Sequence, residues 1–391
     1  MRILHITPSY KPAYGYGGPI ISISRMAEEQ AKAGAEVWVL TTTAHGAEEL
    51  AVPINKPQDV DGVQVRYFKR WTGDHGHFSP ALLWAVWREA RQFSVVHVHS
   101  WWNWVALGAV LICRLQGVHL VVSPHGMLSP YTVHGRLRRL FQKIPGKWLL
   151  AKNLLHATSK QEMWELQALH PGLRVSVVPN IVYLPEINTI HSGKVEATFR
   201  ILFLSRVDPK KGVDILFRAL AHWKGAPYWH LTIGGATGTP YQKKMMALAA
   251  RLGLADRITW LGWIQGDTKW ALLAESDLFI LPSHNENFAI AVLEALAAGT
   301  PVVVGNQVGL HSYVAENDFG WRTDTTPEAL AQILTIALAD EKKRRRIRQT
   351  APAKVRADFE PTKVVRAYFE MYREIGSIRS IGSIDSIEKI K

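Results

Sequence analysis

Cysteine is nearly missing from this 391-residue chain: Cys113 stands alone, so no internal disulfide, cysteine zinc cluster or Cys-x-x-Cys redox pair can form. A reducing, cytoplasmic setting is the expectation. Long apolar runs are missing too. The nearest, Trp101 to Cys113, is interrupted by Asn103 and ends at Arg114, short of the ~20 residues that a membrane-spanning helix needs. The opening MRILHIT gives way too soon to Pro8, Tyr10 and Lys11 for a signal peptide's apolar segment. Acidic residues are the scarce charge, 33 against 46 Lys and Arg, which leaves a net +13 and a surface that attracts anions. No G-x-G-x-x-G follows the first strand, and the second ends in Thr41-Thr42-Thr43 with no acidic residue to hold a ribose, which disfavours a nicotinamide enzyme. Asp59 and Asp61 precede a strand in a glycine turn, and His97 and His99 have no Asp, Glu or Cys at ligand spacing, so no metal is expected. No nucleic-acid module is recognisable and the 15 tryptophans are scattered, so no nucleic-acid partner is expected.

What is present is alternation. RILHIT, VWVLTT, VQVRYF, VVHVH, LVVS and VSVVP read as strands, separated by helical patterns at 19–34, 80–91, 101–116 and 136–152. The rhythm pauses over 184–198 and restarts with RILFLS, HLTIGG, RITWLGW, DLFILPS and PVVVG, with helices at 213–223, 241–252, 268–275 and 288–298. The class is α/β: two Rossmann-like lobes facing a cleft. The expected organisation is an N-terminal domain over 1–183, a linker over 184–198 and a C-terminal domain over 199–358. A helix over 359–375 returns to the first domain. A low-complexity tail at 376–391, where Ser-Ile recurs every three residues, is expected to be loosely ordered.

Four places carry chemistry. SHNENFAIAVLEALAAGTPVVVG sets Glu286 and Glu294 around a helix start near Asn287 or Phe288, with Glu294 about two turns in. Such a start offers N–H groups and partial positive charge to a phosphate, while carboxylates there accept hydrogen bonds from sugar or ribose hydroxyls. FLSRVDPKKGVDIL brings Arg206 and Lys211 to the carboxyl end of a strand, where open α/β sheets bind ligands. Gly15, Gly17 and Gly18 follow the first strand and allow close backbone approach. His125-Gly126 ends a mid-domain strand.

Together these segments resemble the retaining family 4 glycosyltransferases of the GT-B fold. The E-x7-E motif matches Glu286 and Glu294, and E-A-L/M-A-x-G-x-P-V-V matches Glu294 to Val303. Arg206 and Lys211 match the family's Arg and Lys, with Ser205 in place of the usual glycine; Gly17-Gly18 and His125-Gly126 match its first-domain motifs. Gly305 to Leu310 and Pro179 to Tyr183 depart from the pattern. The resemblance implies transfer of a sugar from a nucleotide sugar to an acceptor hydroxyl, with no cofactor or metal. It assigns catalytic roles to Glu286, His125, Arg206 and Lys211. Gly17, Gly18, Arg206, Lys211, Trp263, Ile264, Glu286, Asn287, Phe288, Ala289 and Glu294 are implied to bind the donor. A non-catalytic scaffold and a nucleotide-sugar epimerase of the same fold are the alternatives.

The segment from 134 to 152 mixes Arg136, Arg138, Arg139, Lys143 and Lys147 with Leu137, Leu140, Phe141 and Trp148. That composition suits an anionic bilayer surface. The expectation is a peripheral enzyme on the inner face of the plasma membrane, acting on a saccharide or lipid-linked saccharide of exopolysaccharide or lipopolysaccharide biosynthesis. A solvated helix that packs its leucines inward is the competing reading.

Overall fold

The structure is a computed structural model, and it describes residues 1–73, 75–133, 135–186, 198–223, 228–235 and 238–385. The chain divides into two compact units, Met1–Val182 together with the chain from Phe359, and Tyr183–Asp358. Most of the expected linker, 187–197, lies outside the described residues, as does 386–391 of the tail.

The first unit is built on an eight-stranded sheet. Its strands are β1 (Arg2–Ile6), β2 (Glu36–Thr42), β5 (Gln58–Val60), β6 (Val63–Phe68), β7 (Val95–His99), β8 (Val121–Ser123), β9 (Leu154–Ala157) and β10 (Arg174–Val177). The small β3 (Ala44–His45) and β4 (Glu48–Glu49) form a separate ribbon. The sheet order is β10-β9-β8-β7-β1-β2-β6-β5, parallel throughout except for the β5 edge. The helices are α1 (Gly18–Lys32), α2 (Pro80–Glu89), α3 (Trp104–Leu115), α4 (Arg136–Phe141), α5 (Lys147–Leu150) and α6 (Lys160–Leu169). Both faces of the central strands are covered, which is why β7 and β8 are buried at every position. Leu4, Val96, Val98 and Val122 face one core. Ile3, Val95, Val121 and Leu154 face the other. Side chains alternate along a strand, so His5, His97, His99, Ser123 and His156 fall on the second face, at the carboxyl ends of four adjacent strands.

Two elements here escape a reading by periodicity. Strand β9 is only four residues long, and α6 has a weak apolar stripe. Helix α6 nonetheless carries a start signal in Ser159-Lys160-Gln161-Glu162, where the Ser159 hydroxyl accepts from Glu162 N. The helix expected over 136–152 is interrupted by a wide turn at Gln142–Gly146, where Pro145 has no N–H to continue the ladder.

The second unit has six parallel strands: β11 (Phe199–Leu204), β12 (Trp229–Gly234), β13 (Ile258–Gly262), β14 (Leu278–Leu281), β15 (Val302–Gly305) and β16 (Gly320–Thr323). Their order β13-β12-β11-β14-β15-β16 is that of a doubly wound Rossmann sheet. Helices α7 (Val213–His222), α8 (Pro240–Arg251), α9 (Gly266–Glu275), α10 (Ile290–Ala297), α11 (His311–Glu316), α12 (Pro327–Ala339) and α13 (Glu341–Asp358) complete it. The β11/β14 neighbours mark the point where the strand order reverses, and the loops leaving their carboxyl ends carry Arg206 and Glu286.

The final helix, α14 (Pro361–Asp385), packs on the first unit, placing Val364, Val365, Tyr368, Met371, Tyr372 and Ile375 in the core that holds Ile3, Val39 and Val95. At about 2 kcal/mol for each buried side chain, this seam contributes on the order of 10 kcal/mol before ordering costs. Helix α14 runs on through part of the expected loose tail, to Asp385. Extending an existing helix needs no new nucleus, and Ser, Ile and Arg are tolerated there.

Candidate active site

In the second unit the candidate residues are assembled by one close backbone approach. After β11 the chain passes Ser205 and Arg206 into a short turn, Pro209–Lys211, whose start is capped by the Asp208 carboxylate accepting from Lys210 N at 3.0 Å. Gly212 follows with φ +72°, and a Cβ there would sit 2.2 Å from the Pro282 carbonyl oxygen. Only glycine therefore lets this turn lie on the segment that leaves β14. His284 N donates to Lys210 O at 2.9 Å across the same seam, and the Lys211 ammonium donates to Glu286 Oε2. Lys211 is 8% exposed. Glu286 is pinned by its backbone as well, bridging Val308 through Glu286 N to Gln307 O and Gly309 N to Glu286 O.

Lys210 joins the cluster although the sequence reading passed over it. Burial lowers its pKa, Glu286 opposes that shift, and the positive charges of Lys211 and Arg206 reinforce it. Arg206 is exposed. Lys211 thus pairs with Glu286 at the switch point, and Lys210 feels the charges of Glu286, Lys211 and Arg206, an arrangement with positive charge to spare for an anionic ligand.

The helix behind Glu286 begins later than expected. Helix α10 starts at Ile290, so Glu294 lies just over one turn in rather than two. The delay comes from Ala289, which stands in the left-handed region at φ +71° and leaves the helix without a side-chain cap. A residue with a Cβ held there stores ~1–2 kcal/mol. Two buried polar atoms on this loop, Ser283 Oγ and Asn285 Oδ1, have no hydrogen-bond partner among the described residues. Glu294 is paired with Lys269 of α9 at 2.7 Å, a partner with no signal in the sequence. Phe288 is buried and Asn287 half-buried. Of the expected donor-binding pair Trp263-Ile264, Ile264 reaches Gly234 at the end of β12, where a Cβ would meet its Cδ1 at 2.8 Å. Trp263 turns its ring to solvent at 66% exposure, outside this cluster.

The first unit holds the other candidates. Gly17 has φ +78° and precedes α1, whose first turn also lacks a side-chain cap; nothing lies within 4 Å of a Cβ at Gly17 or Gly18. The Gly17 N–H is already used, donating to Tyr14 O at 2.9 Å, so the open space beside this turn is not matched by a spare donor at Gly17. His125 follows β8 with φ +52°, its Nε2 3.1 Å from His99 Nδ1. Burial, helped by His156, lowers its pKa to about 3, too low for a general base at neutral pH. The adjoining Gly126 N–H is held at 2.6 Å by Glu162 of the overlooked α6, a carboxylate that also accepts from Thr158 N at 2.8 Å. His5 joins His97 and His99 to bring three ring nitrogens within 4.8 Å of one another, a metal-like grouping. All six nitrogens of these rings are occupied by hydrogen bonds to neighbouring side chains, which leaves no lone pair for an ion.

Residues 16–184 match the family described as Glycosyltransferase Family 4, and residues 187–354 match Glycosyl transferases group 1. A D-inositol 3-phosphate glycosyltransferase of Xylanimonas cellulosilytica is 27% identical, covering 90% of this chain and 91% of its own. Among solved structures, sucrose-phosphate synthase from Thermosynechococcus elongatus superposes with a TM-score of 0.74 at 17% identity, covering 97% of this chain and all of its own. Anabaena HepE, solved in complex with UDP and glucose, gives 0.73 at 22%, covering 96% and 100%. With both units matched in sequence and in fold, the chain belongs to the glycosyltransferases of the GT-B fold.

Proposed function

We propose that this enzyme transfers a sugar from a nucleoside diphosphate sugar to a hydroxyl of a lipid-linked or polysaccharide intermediate, without a metal and with retention at the anomeric carbon. The Lys211–Glu286 pair at the carboxyl end of β14, with Lys210 and Arg206 adding positive charge around it, carries the reading. A diphosphate arriving there exchanges the Lys211–Glu286 pair for charge-assisted bonds to phosphate. Glu286 is then released to accept from the donor sugar's hydroxyls. Glu294 turns from Lys269 toward the ribose, Ile264 borders the base, and the cations stabilise charge growing on the departing nucleotide. Gly18 offers its backbone N–H to the phosphates, and His125 lines the sugar. With no second carboxylate set for a covalent pair among the described residues, we favour front-face displacement in which the leaving phosphate takes the acceptor's proton. A glycosylated Glu286 trapped with a slow donor would overturn that step.

The deciding experiment is a metal-free thermal-shift panel of UDP-, GDP- and ADP-sugars, beginning with UDP because HepE was solved with it. A ligand at a hundred times its Kd stabilises by ~2.7 kcal/mol. One nucleotide raises Tm, and Arg206→Ala weakens that shift; no shift with any of them defeats the donor assignment.

The acceptor reading rests on α4 and its continuation. Leu137, Leu140 and Ile144 are exposed at 83%, 59% and 69% beside exposed Arg136, Arg139, Lys143 and Lys147. The leucines of α4 therefore do not pack inward; only Leu149 and Leu150 do. Apolar tips among cations suit an anionic bilayer. Among the described residues no helix is long and apolar enough to cross a membrane. Arg136→Glu with Arg139→Glu lowers co-sedimentation with anionic vesicles severalfold, and binding indifferent to lipid charge rejects membrane docking.

A further inference from the structure

The polar band on the first unit's sheet forms one continuous hydrogen-bonded chain. From its inner end, His156 Nε2 lies 2.7 Å from Val178 O, and His156 Nδ1 lies 2.6 Å from Ser123 Oγ. Ser123 Oγ is 2.5 Å from His97 Nε2, and His97 Nδ1 is 2.8 Å from the Tyr372 hydroxyl. Gln30 Nε2 donates to that hydroxyl at 3.0 Å, while Gln30 Oε1 lies 2.9 Å from His5 Nε2. His5 Nδ1 is 3.0 Å from His99 Nε2, and His99 Nδ1 is 3.1 Å from His125 Nε2.

A carbonyl oxygen can only accept, so the direction is set at Val178. His156 must donate from Nε2. A neutral ring has one N–H, so His156 Nδ1 accepts the Ser123 proton. Ser123 in turn accepts from His97 Nε2, and His97 Nδ1 accepts from Tyr372. The tyrosine oxygen then receives the Gln30 amide, which turns Gln30 Oε1 toward His5 as an acceptor. His5 therefore carries its proton on Nε2, and the same argument repeats through His99 to His125. Running the chain the other way puts two protons on His156 or leaves a buried nitrogen unpaired. Burial lowers the pKa of all five rings, to about 4 for His5 and His156 and to about 3 for His125, so all are neutral at pH 7.

We infer that this chain acts as a tautomer lock, holding His125 with its proton on Nε2 and presenting Nδ1 as a hydrogen-bond acceptor. No described residue meets that nitrogen. Gln30, Tyr372, His97 and Ser123 are then positioning residues for His125, and the last helix of the chain takes part through Tyr372. Resting on the glycosyltransferase reading above, the lock selects a ligand that donates a hydroxyl to His125, and it disfavours a phosphate or carbonyl oxygen at the same spot.

The test is the imidazole 15N spectrum of the full-length protein without ligand, with His125 assigned through His125→Asn, a residue that tolerates a left-handed backbone. The expected wild-type spectrum shows a protonated Nε2 and a bare Nδ1. Tyr372→Phe removes one oxygen far along the chain, so Gln30 loses its reference and either amide orientation satisfies His5. His125 then becomes a mixture of tautomers. Ser123→Ala severs the chain elsewhere and has the same effect. Tyr368→Phe is the control: that buried hydroxyl points at Pro179 O, outside the chain, so the spectrum stays as in wild type. A proton on Nδ1 in wild type, or an unmixed tautomer in both severing variants, overturns the lock, and the wild-type spectrum decides even where a variant fails to fold. With an equal mixture, kcat/KM falls about twofold because half of the sites are competent. A mixed tautomer with unchanged kcat/KM upholds the lock and rejects only the ligand contact, whereas failure of the donor panel leaves the spectrum untouched.

Discussion

The two units place polar residues at the carboxyl ends of their strands in opposite ways. In the second, Arg206, Lys210, Lys211 and Glu286 keep their charges, and the Lys211–Glu286 pair is one that a ligand can exchange. In the first, five histidines and Ser123 are joined through Gln30 of α1 and Tyr372 of α14 into one hydrogen-bonded chain without any charge. The difference separates two tasks. An electrostatic site must be able to trade partners and tolerates a loose inventory of cations, while a dry polar network works only when every member is present.

Acid should break the comparison most strongly. Each buried histidine has a pKa below its unfolded 6.5, so its stabilising contribution is complete above pH 6.5 and is lost as pH falls toward the folded value. At pH 5 that amounts to about 2 kcal/mol per ring, on the order of 10 kcal/mol for five, comparable to a whole domain's stability. Glu162 opposes this, because burial raises its carboxyl to about 7, but one group returns only about 2–3 kcal/mol. The first unit is therefore expected to melt far earlier at pH 5 than at pH 7.5. Calorimetry that finds an unchanged Tm would remove the neutral network.

Next in size is the charged site. Lys211→Ala should cost about 10²–10³ in kcat/KM, the range for loss of one group that stabilises developing charge. A circular dichroism spectrum like that of wild type would show that the fold survives. A change under threefold would exclude Lys211 from the reaction. Gly212→Ala tests the seam beneath it: with φ +72° and a backbone oxygen 2.2 Å from the added Cβ, a loss of about 2 kcal/mol or more is expected in urea unfolding. Stability within error of wild type would mean that the turn has room to move. The smallest effect belongs to Glu162→Gln. It should remove the part of the pH slope between about 4.5 and 7 that favours acid, at a cost of about 1 kcal/mol from one lost backbone contact. An unaltered slope would count against a raised Glu162 pKa.

The sheets were legible where local patterns carry the information. Strands rich in Val and Ile, and the run from Glu294 to Val303, announce themselves because burial on both faces demands apolar residues. The loss came in short elements such as β9, β16 and α6, and in partners that meet only through the tertiary fold. His5, Gln30, His97, Ser123, His156 and Tyr372 span nearly the whole chain, and no spacing rule connects them. Likewise Lys269 finds Glu294 only because α9 and α10 are neighbours. Ala289 delays its helix through a backbone angle that its side chain does not advertise.

The return of α14 to the first unit also bears on how the protein is made. Synthesis delivers all ten strands of that unit early, yet six side chains of their second core, among them the tyrosine that completes the histidine chain, arrive only with the last helix. The second unit is contiguous from Tyr183 to Asp358 and can close as soon as it leaves the ribosome. For much of translation the nascent first unit must hold an uncovered apolar seam and an open polar band. The part of the protein begun first is thus the last to be finished.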